Sequence, residues 1–273
     1  MVGSIRSLYR VSMAEGEGVG TAYEYFAKAA RLRRFMRALG TPRKILVAGL
    51  PERYGFSMDF LLMAEAVGAD VLAVDERNDR IRDAGMIVSD LSSAGILTRS
   101  RIHLRTIPDW THFAGDVSRE CFDLALSCEV LQRLDSSAGA YLSALGRKAK
   151  GIALFVPNSG NAAHMKHSGL RSLSLEDLLR SVRQAICGAR IHDRGHIDMP
   201  PFPPGISRSQ EKREHAADST VEGLLMNALQ LYCRLEKFWP GFIKSRVAHI
   251  AFVMVEVRES AEVRGGTDRE PNL

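Results

Sequence analysis

From residue 44 onward, short apolar runs alternate with helix-patterned stretches, and this rhythm limits the folds open to the chain more than any other feature. KILVAG (44–49), VLAVD (71–75), RIHLRT (101–106), FDLALSC (122–128) and GIALFVP (151–157) read as strands, with helices expected over 57–68, 79–95 and 136–148. Apolar runs this short and continuous suit parallel strands covered on both faces. The crossovers joining them are expected to be right-handed. The predicted class is therefore α/β, with these strands in a mostly parallel sheet and helices on both faces.

The rhythm changes beyond 157. SLEDLLRSVRQAI (174–186) is predicted helical with Ser174 as its cap, and ARIHDRGHID (189–198) as a sixth strand. MPPFPPGISRSQ (199–210) carries four prolines, which remove donors and fix the backbone, so regular structure is excluded there. It reads as a rigid lid over a pocket, with Phe202 facing in, or as a stiff connector. A helix is predicted near 219–237, followed by a strand over RVAHIAFVMVEV (246–257). Before residue 44, TAYEYFAKAARLRRFMRAL (21–39) has helical spacing, with Thr21 and Glu24 placed as a capping box and Gly40 and Pro42 as the stop. AEGEGVG, just upstream, reads as a mobile loop. The expected divisions are an N-terminal helical cap (1–43), the main body (44–258, with 199–218 as insertion or lid) and a disordered tail (259–273).

Bulk numbers narrow the partners. The 273 residues are 45% apolar and 25% charged, enough for a normal core. The net charge is +5, from 37 basic and 32 acidic residues. Part of the excess sits in Arg31, Arg33, Arg34 and Arg37, which can touch phosphate or an anionic membrane or simply line a solvated helix face. No basic stripe with interleaved aromatics stands out, so nucleic acid is not expected. Cys121, Cys128, Cys187 and Cys233 form no CxxC pair, which argues against zinc and against a disulfide framework and suits a reducing cytoplasm. No apolar run is long enough for a membrane helix, and the N-terminus does not resemble a secretory signal.

Three motifs carry the resemblance. FDLALSCEVLQRLD (122–135) has an aspartate-led apolar strand and a Glu-Val-Leu helix start. VLAVDERNDRI (71–81) has an acid closing the second strand, and RVAHIAFVMVEV suits a long antiparallel strand beside the fifth. Over roughly 44–257 the chain resembles the class I S-adenosylmethionine-dependent methyltransferases, most closely the small-molecule group called type 11. The glycine-rich motif is degenerate: Gly49 is present, Val47 stands in the acidic position, and Pro51 and Arg53 occupy the next two glycine positions. Glu52 or Asp59 is a candidate substitute for the missing acid.

The resemblance implies a Rossmann-like, seven-stranded, mostly parallel sheet with an antiparallel final strand, S-adenosylmethionine as cofactor and methyl transfer to a small-molecule or lipid-like acceptor. It implies cofactor contacts from Gly49, Leu50, Pro51, Asp75, Glu76, Asp109, Trp110, Cys128 and Glu129. Asp75 also stands on its own chemistry, since a carboxylate ending a second strand suits a ribose diol, though that of NAD equally well. Asp109 and Trp110 are candidates for the adenine amino group and ring. His164 and His167, after the fifth strand, are candidate general bases sharing a helix face, or loop histidines without such a role. His192 and His196 alternate onto one strand face without a third ligand, so no metal is expected. The alternatives are a non-catalytic methyltransferase-like binding or scaffold protein and a nicotinamide-dependent oxidoreductase.

Overall fold

A computed structural model describes residues 3–52, 54–113, 120–201 and 220–258. The strands are β1 (Lys44–Ala48), β2 (Asp70–Asp75), β3 (Ile102–Thr106), β4 (Phe122–Cys128), β5 (Ala149–Pro157), β6 (Ala189–Ile197) and β7 (Ile250–Val257). They form one sheet in the order 3-2-1-4-5-7-6. β7 runs antiparallel to both β5 and β6, and the remaining pairings are parallel. The predicted class and the antiparallel final strand are thus observed, and that strand speaks against the oxidoreductase alternative.

The helices are α1 (Ile5–Ala14), α2 (Val19–Leu39), α3 (Met58–Val67), α4 (Asn78–Ser93), α5 (Ala138–Lys148), α6 (Ala162–Ser168), α7 (Leu175–Ala185), α8 (Thr220–Leu235) and α9 (Gly241–Val247). One core layer joins α1, α2, α3 and α8 to one sheet face, and the other joins α5 and α7 to the opposite face. Alternation explains the division: Ile45 and Val47 belong to the first layer, Leu46 and Ala48 to the second.

Several local expectations change. α2 starts two residues before Thr21, with Gly18 as N-cap, so the Thr21 capping box does not form. AEGEGVG is a tight link between α1 and α2, tied down by Glu15. That carboxyl is buried, accepts from the Tyr25 hydroxyl at 2.7 Å and bonds the Phe56 amide. The predicted strand 246–257 divides into the end of α9 and β7, because Asn158 holds the Ser245 and Ala248 carbonyls at 2.9 and 2.8 Å and keeps that stretch off the ladder. A bulge between Ile191 and Asp193 interrupts the alternation of β6. His192 therefore stacks on Phe35 of α2, whereas His196 pairs with Ala251 of the other core layer, and the two do not share a face. Ser174 caps α7 as predicted. The body of the proline-rich segment (202–219) and the tail (259–273) lie outside the described residues.

Candidate active site

The carboxyl edge of a parallel sheet is where ligands bind in such folds. Two clusters of buried polar groups meet there. The first surrounds Asp75, which ends β2 with no exposed surface. Its Oδ1 accepts from the Arg77 amide at 2.9 Å and Arg77 Nε at 2.8 Å. Its Oδ2 accepts from the Leu50 amide at 2.7 Å, Arg77 Nη2 at 2.9 Å and Arg133 Nη2 at 3.1 Å. Burial alone would raise this carboxyl; the Arg77 fork, the Leu50 amide and Arg133 outweigh it and hold the group below the ordinary range.

Arg77 also donates to the Leu50 and Pro51 carbonyls, and Arg80 to those of Pro51 and Gly55, so the two guanidiniums fasten the loop after β1. Gly49 makes the turn at φ 87°, the left-handed region that favours glycine. A Cβ there would lie 2.6 Å from Val130 Cγ2 and 3.3 Å from the Trp110 ring, so these two side chains cover the glycine. Glu76 bonds Arg133 and keeps one oxygen without a partner. Trp110 is buried, edge-on to Phe113 and Tyr141, with an unpartnered Nε1. Asp109 turns away: half exposed, it caps its own turn through the Thr111 and His112 amides at 2.7 and 3.0 Å. Bonds from the Thr111 hydroxyl and the His112 ring, and then the two amides, depress its pKa.

The second cluster lies under α2. Lys28 has no exposed surface and reaches Glu24 at 2.8 Å, Asp59 at 3.3 Å and Cys128 Sγ at 3.5 Å. Burial by itself would strip its proton, but Asp59 and Glu24 hold the ammonium charged. Burial pushes Asp59 up to about 6, against the pull of Lys28. Burial pushes Glu129 up to about 8, with Glu24 adding to the effect, so it is an acid at neutral pH. The Cys128 thiol is likewise raised by burial.

On the far side of Lys28, His249 Nδ1 meets Asp198 Oδ2 at 3.0 Å. Burial would lower this imidazole, and Asp198 reverses that and raises it. His164 stacks on it at 4.0 Å between centroids. Burial, then the neighbouring His249, lowers His164 to about 4.

Ser57, Glu129 and Asp198 mark this second cluster as built for more than packing. All three are buried non-glycine residues with left-handed backbones (φ 55°, 55° and 69°), and each has a side-chain oxygen with no partner. Such conformations cost about 1–3 kcal/mol each and persist where surroundings enforce them, commonly at functional sites. Unpartnered buried oxygens are groups that a ligand can complete.

The structure thus brings together Gly49, Leu50, Pro51, Asp75, Glu76 and Trp110 around one centre, and Cys128 and Glu129 around the next. It separates Asp109. Of the predicted histidines, His164 faces the cluster and His167 is exposed. Missed by sequence reasoning were Lys28, Arg77, Arg133, Asp198 and His249. The one available signal was an ionisable residue inside an apolar helix face, as Lys28 is among Tyr25, Ala29 and Leu32.

No family model and no curated protein sequence matches the chain. Solved structures do. One is a provisionally assigned sarcosine dimethylglycine methyltransferase from Galdieria sulphuraria, with TM-score 0.52 and 10% identity over 86% of each chain. Others include geranyl diphosphate C-methyltransferase from Streptomyces coelicolor A3(2), at 0.48 and 12% over 85% of this chain and 81% of that one. A third is an S-adenosylmethionine-dependent methyltransferase from Thiobacillus denitrificans, at 0.46 and 16% over 86% and 91%. Together with the strand order, the first match defines the class I methyltransferase fold, and at that identity it defines the fold alone.

Proposed function

We propose that the chain transfers a methyl group from S-adenosylmethionine to a small-molecule or lipid-like acceptor. The observation that carries this is the place of Asp75. It closes the second strand beside the Gly49 turn, on a sheet of this order, where a carboxylate suits ribose hydroxyls. The residue types suit the cofactor once Arg77 and Val130 move aside: the Asp75 carboxylate, the Gly49–Leu50–Pro51 backbone, the Trp110 ring, and unpartnered polar atoms on Glu76 and Glu129. Bound there, the cofactor supplies a methyl group on a positively charged sulfur, already a good leaving group. The chain's own residues then bind and align.

Arg77 must leave Asp75, and Val130 must leave Gly49, before ribose can enter. Separating a buried ion pair costs about 3–5 kcal/mol, which weakens apparent affinity by roughly 100- to 5000-fold. His249, oriented by Asp198, is the group placed to accept a proton from an acceptor atom, with its second ring nitrogen unengaged by Asp198. The division into a 1–43 cap, a 44–258 body with its 199–218 insertion and a 259–273 tail belongs to this reading. A cytoplasmic location does too, and four cysteines outside any disulfide suit it.

The saturation of Asp75 and the covered face of Gly49 favour a second reading, a non-catalytic protein of the same fold. Calorimetric titration of the full chain with S-adenosylhomocysteine separates the two. Binding that is lost in Asp75→Asn supports the enzyme. Absence of heat at about 1 mM ligand, in both the wild type and Arg77→Ala, sinks it and leaves the second reading.

A further inference from the structure

α8 is apolar on two opposite sides. Met226, Leu229 and Cys233 point inward, where the helix packs on α1 and α2. It is pinned there by Gln230 on the Ile5 amide at 3.1 Å and by buried Glu236, which bonds the Tyr23 hydroxyl and the Met199 amide. Leu224, Leu231 and Leu235, at helical spacing, form a second stripe facing out. The stripe runs on into Phe238, Trp239 and Phe242, and the exposure is substantial: 67% at Leu224, 72% at Phe238 and 69% at Phe242. Eight of the ten exposed large apolar side chains among the described residues fall between 224 and 247. Scattered apolar residues are ordinary on a surface; concentration into one face marks an interaction site.

The charges on this face identify its occupant. From 220 to 249, a span that takes in α8 and α9, the chain carries Arg234, Lys237, Lys244 and Arg246 against two acids, Glu222 at the start of α8 and Glu236, which is buried and turned inward. Lys237 lies 4.7 Å over the Phe238 ring, and Lys244 donates to the Lys237 carbonyl at 3.1 Å. Aromatic and leucine side chains projecting from a cationic rim suit insertion between anionic lipid headgroups. A second copy of the chain suits it poorly, because a two-fold contact would set the four cations against themselves. No described helix is long and apolar enough to cross a membrane.

We propose that the outward face of α8 and α9 docks the protein on an anionic lipid bilayer. Asn158 and Asn161, just past β5, hold the Ser245, Val247 and Ala248 carbonyls, so the docking face is fastened to the sheet edge that carries His249. Docking would place the candidate site at the lipid surface, where a lipid-like acceptor resides. The docking itself is independent of the methyl-transfer reading and needs no cofactor.

The test is co-sedimentation of the full chain with vesicles of phosphatidylcholine alone and with added phosphatidylglycerol, with the fluorescence of Trp239 as a second readout. Binding to the anionic vesicles is expected to exceed that to neutral ones by roughly tenfold and to weaken with salt. Phe238→Ser/Phe242→Ser should lower it by roughly tenfold with unchanged melting temperature. Lys237→Glu/Lys244→Glu should erase the preference for anionic lipid. Absence of vesicle binding by the wild type overturns the proposal, as does equal binding by the variants. So does a dimer, seen by light scattering, that the serine variant dissociates while neither protein binds vesicles.

Discussion

Arg77 grips Asp75 as a fork, with Nε 2.8 Å from one carboxylate oxygen and Nη2 2.9 Å from the other, while its backbone amide takes a further acceptor site on the first oxygen. Arg133 and the Leu50 amide occupy the second oxygen. A carboxylate has about four lone-pair sites, so the group at the ribose position is fully engaged by the protein itself. The proposed cofactor therefore competes with an internal guanidinium.

Arg77→Ala should tighten binding of S-adenosylhomocysteine by about 100- to 5000-fold, since the competing fork is gone while Arg133 still balances Asp75. Arg77→Lys should fall between, because an ammonium cannot make the two-pronged contact. Isothermal calorimetry of the three proteins checks the order.

Lys28→Met should destabilise the fold by about 3–5 kcal/mol, because buried Asp59 loses the cation that offsets its desolvation and must take up a proton to stay inside. Lys28→Met combined with Asp59→Asn should recover much of that loss. Urea denaturation of the single and double variants gives the coupling; additive losses would refute it.

The pH dependence of stability follows from the sign of the carboxyl shifts. Glu15 and Glu129 are raised by burial to about 8 and Asp59 to about 6, so the folded chain binds more protons than the unfolded one between pH 4.5 and 8. Their contribution is present in full below the unfolded pKa and is lost as pH rises through the folded values. Asp75, shifted down, acts only in more acid solution. The melting temperature is expected to be higher near pH 5.5 than near pH 8.5, and Glu15→Gln/Glu129→Gln should flatten the slope. A melting temperature that climbs toward pH 8.5 would contradict this.

Asp198→Asn should lower the His249 pKa, by removing the charge that faces it. Titration of the imidazole resonances by NMR reads this directly, and His164 should stay low because its shift comes first from burial.

How much of this was legible in the chain differs by element. The β1–β5 rhythm was readable because each strand buries both faces and must be continuously apolar. Asp75 was readable because it closes such a run. The break at Val247–Ala248 was not, since its apolar residues suit a strand and the Asn158 and Asn161 side chains that hold its carbonyls out of the ladder lie 86 to 90 residues away. The shared face of His192 and His196 failed for a similar reason: a single inserted residue reverses the alternation, and no local signal announces it.

The site divides along the same line. Periodicity and strand-ending acids, which depend on neighbours in sequence, determined the strands of the sheet and the residues along its carboxyl edge, while the antiparallel direction of the last strand came from the family resemblance. The contacts between those residues depend on side chains meeting across 31 to 104 positions of chain, as Lys28 meets Asp59 and Cys128, Glu24 meets Cys128, and Asp198 meets His249. Only the tertiary structure decided that Asp75 is held by arginines, that Glu129 is an uncharged acid and that α8 turns an apolar stripe outward. Ionisation and exposure are set by what surrounds a group in space, and the order of residues along the chain does not encode that locally.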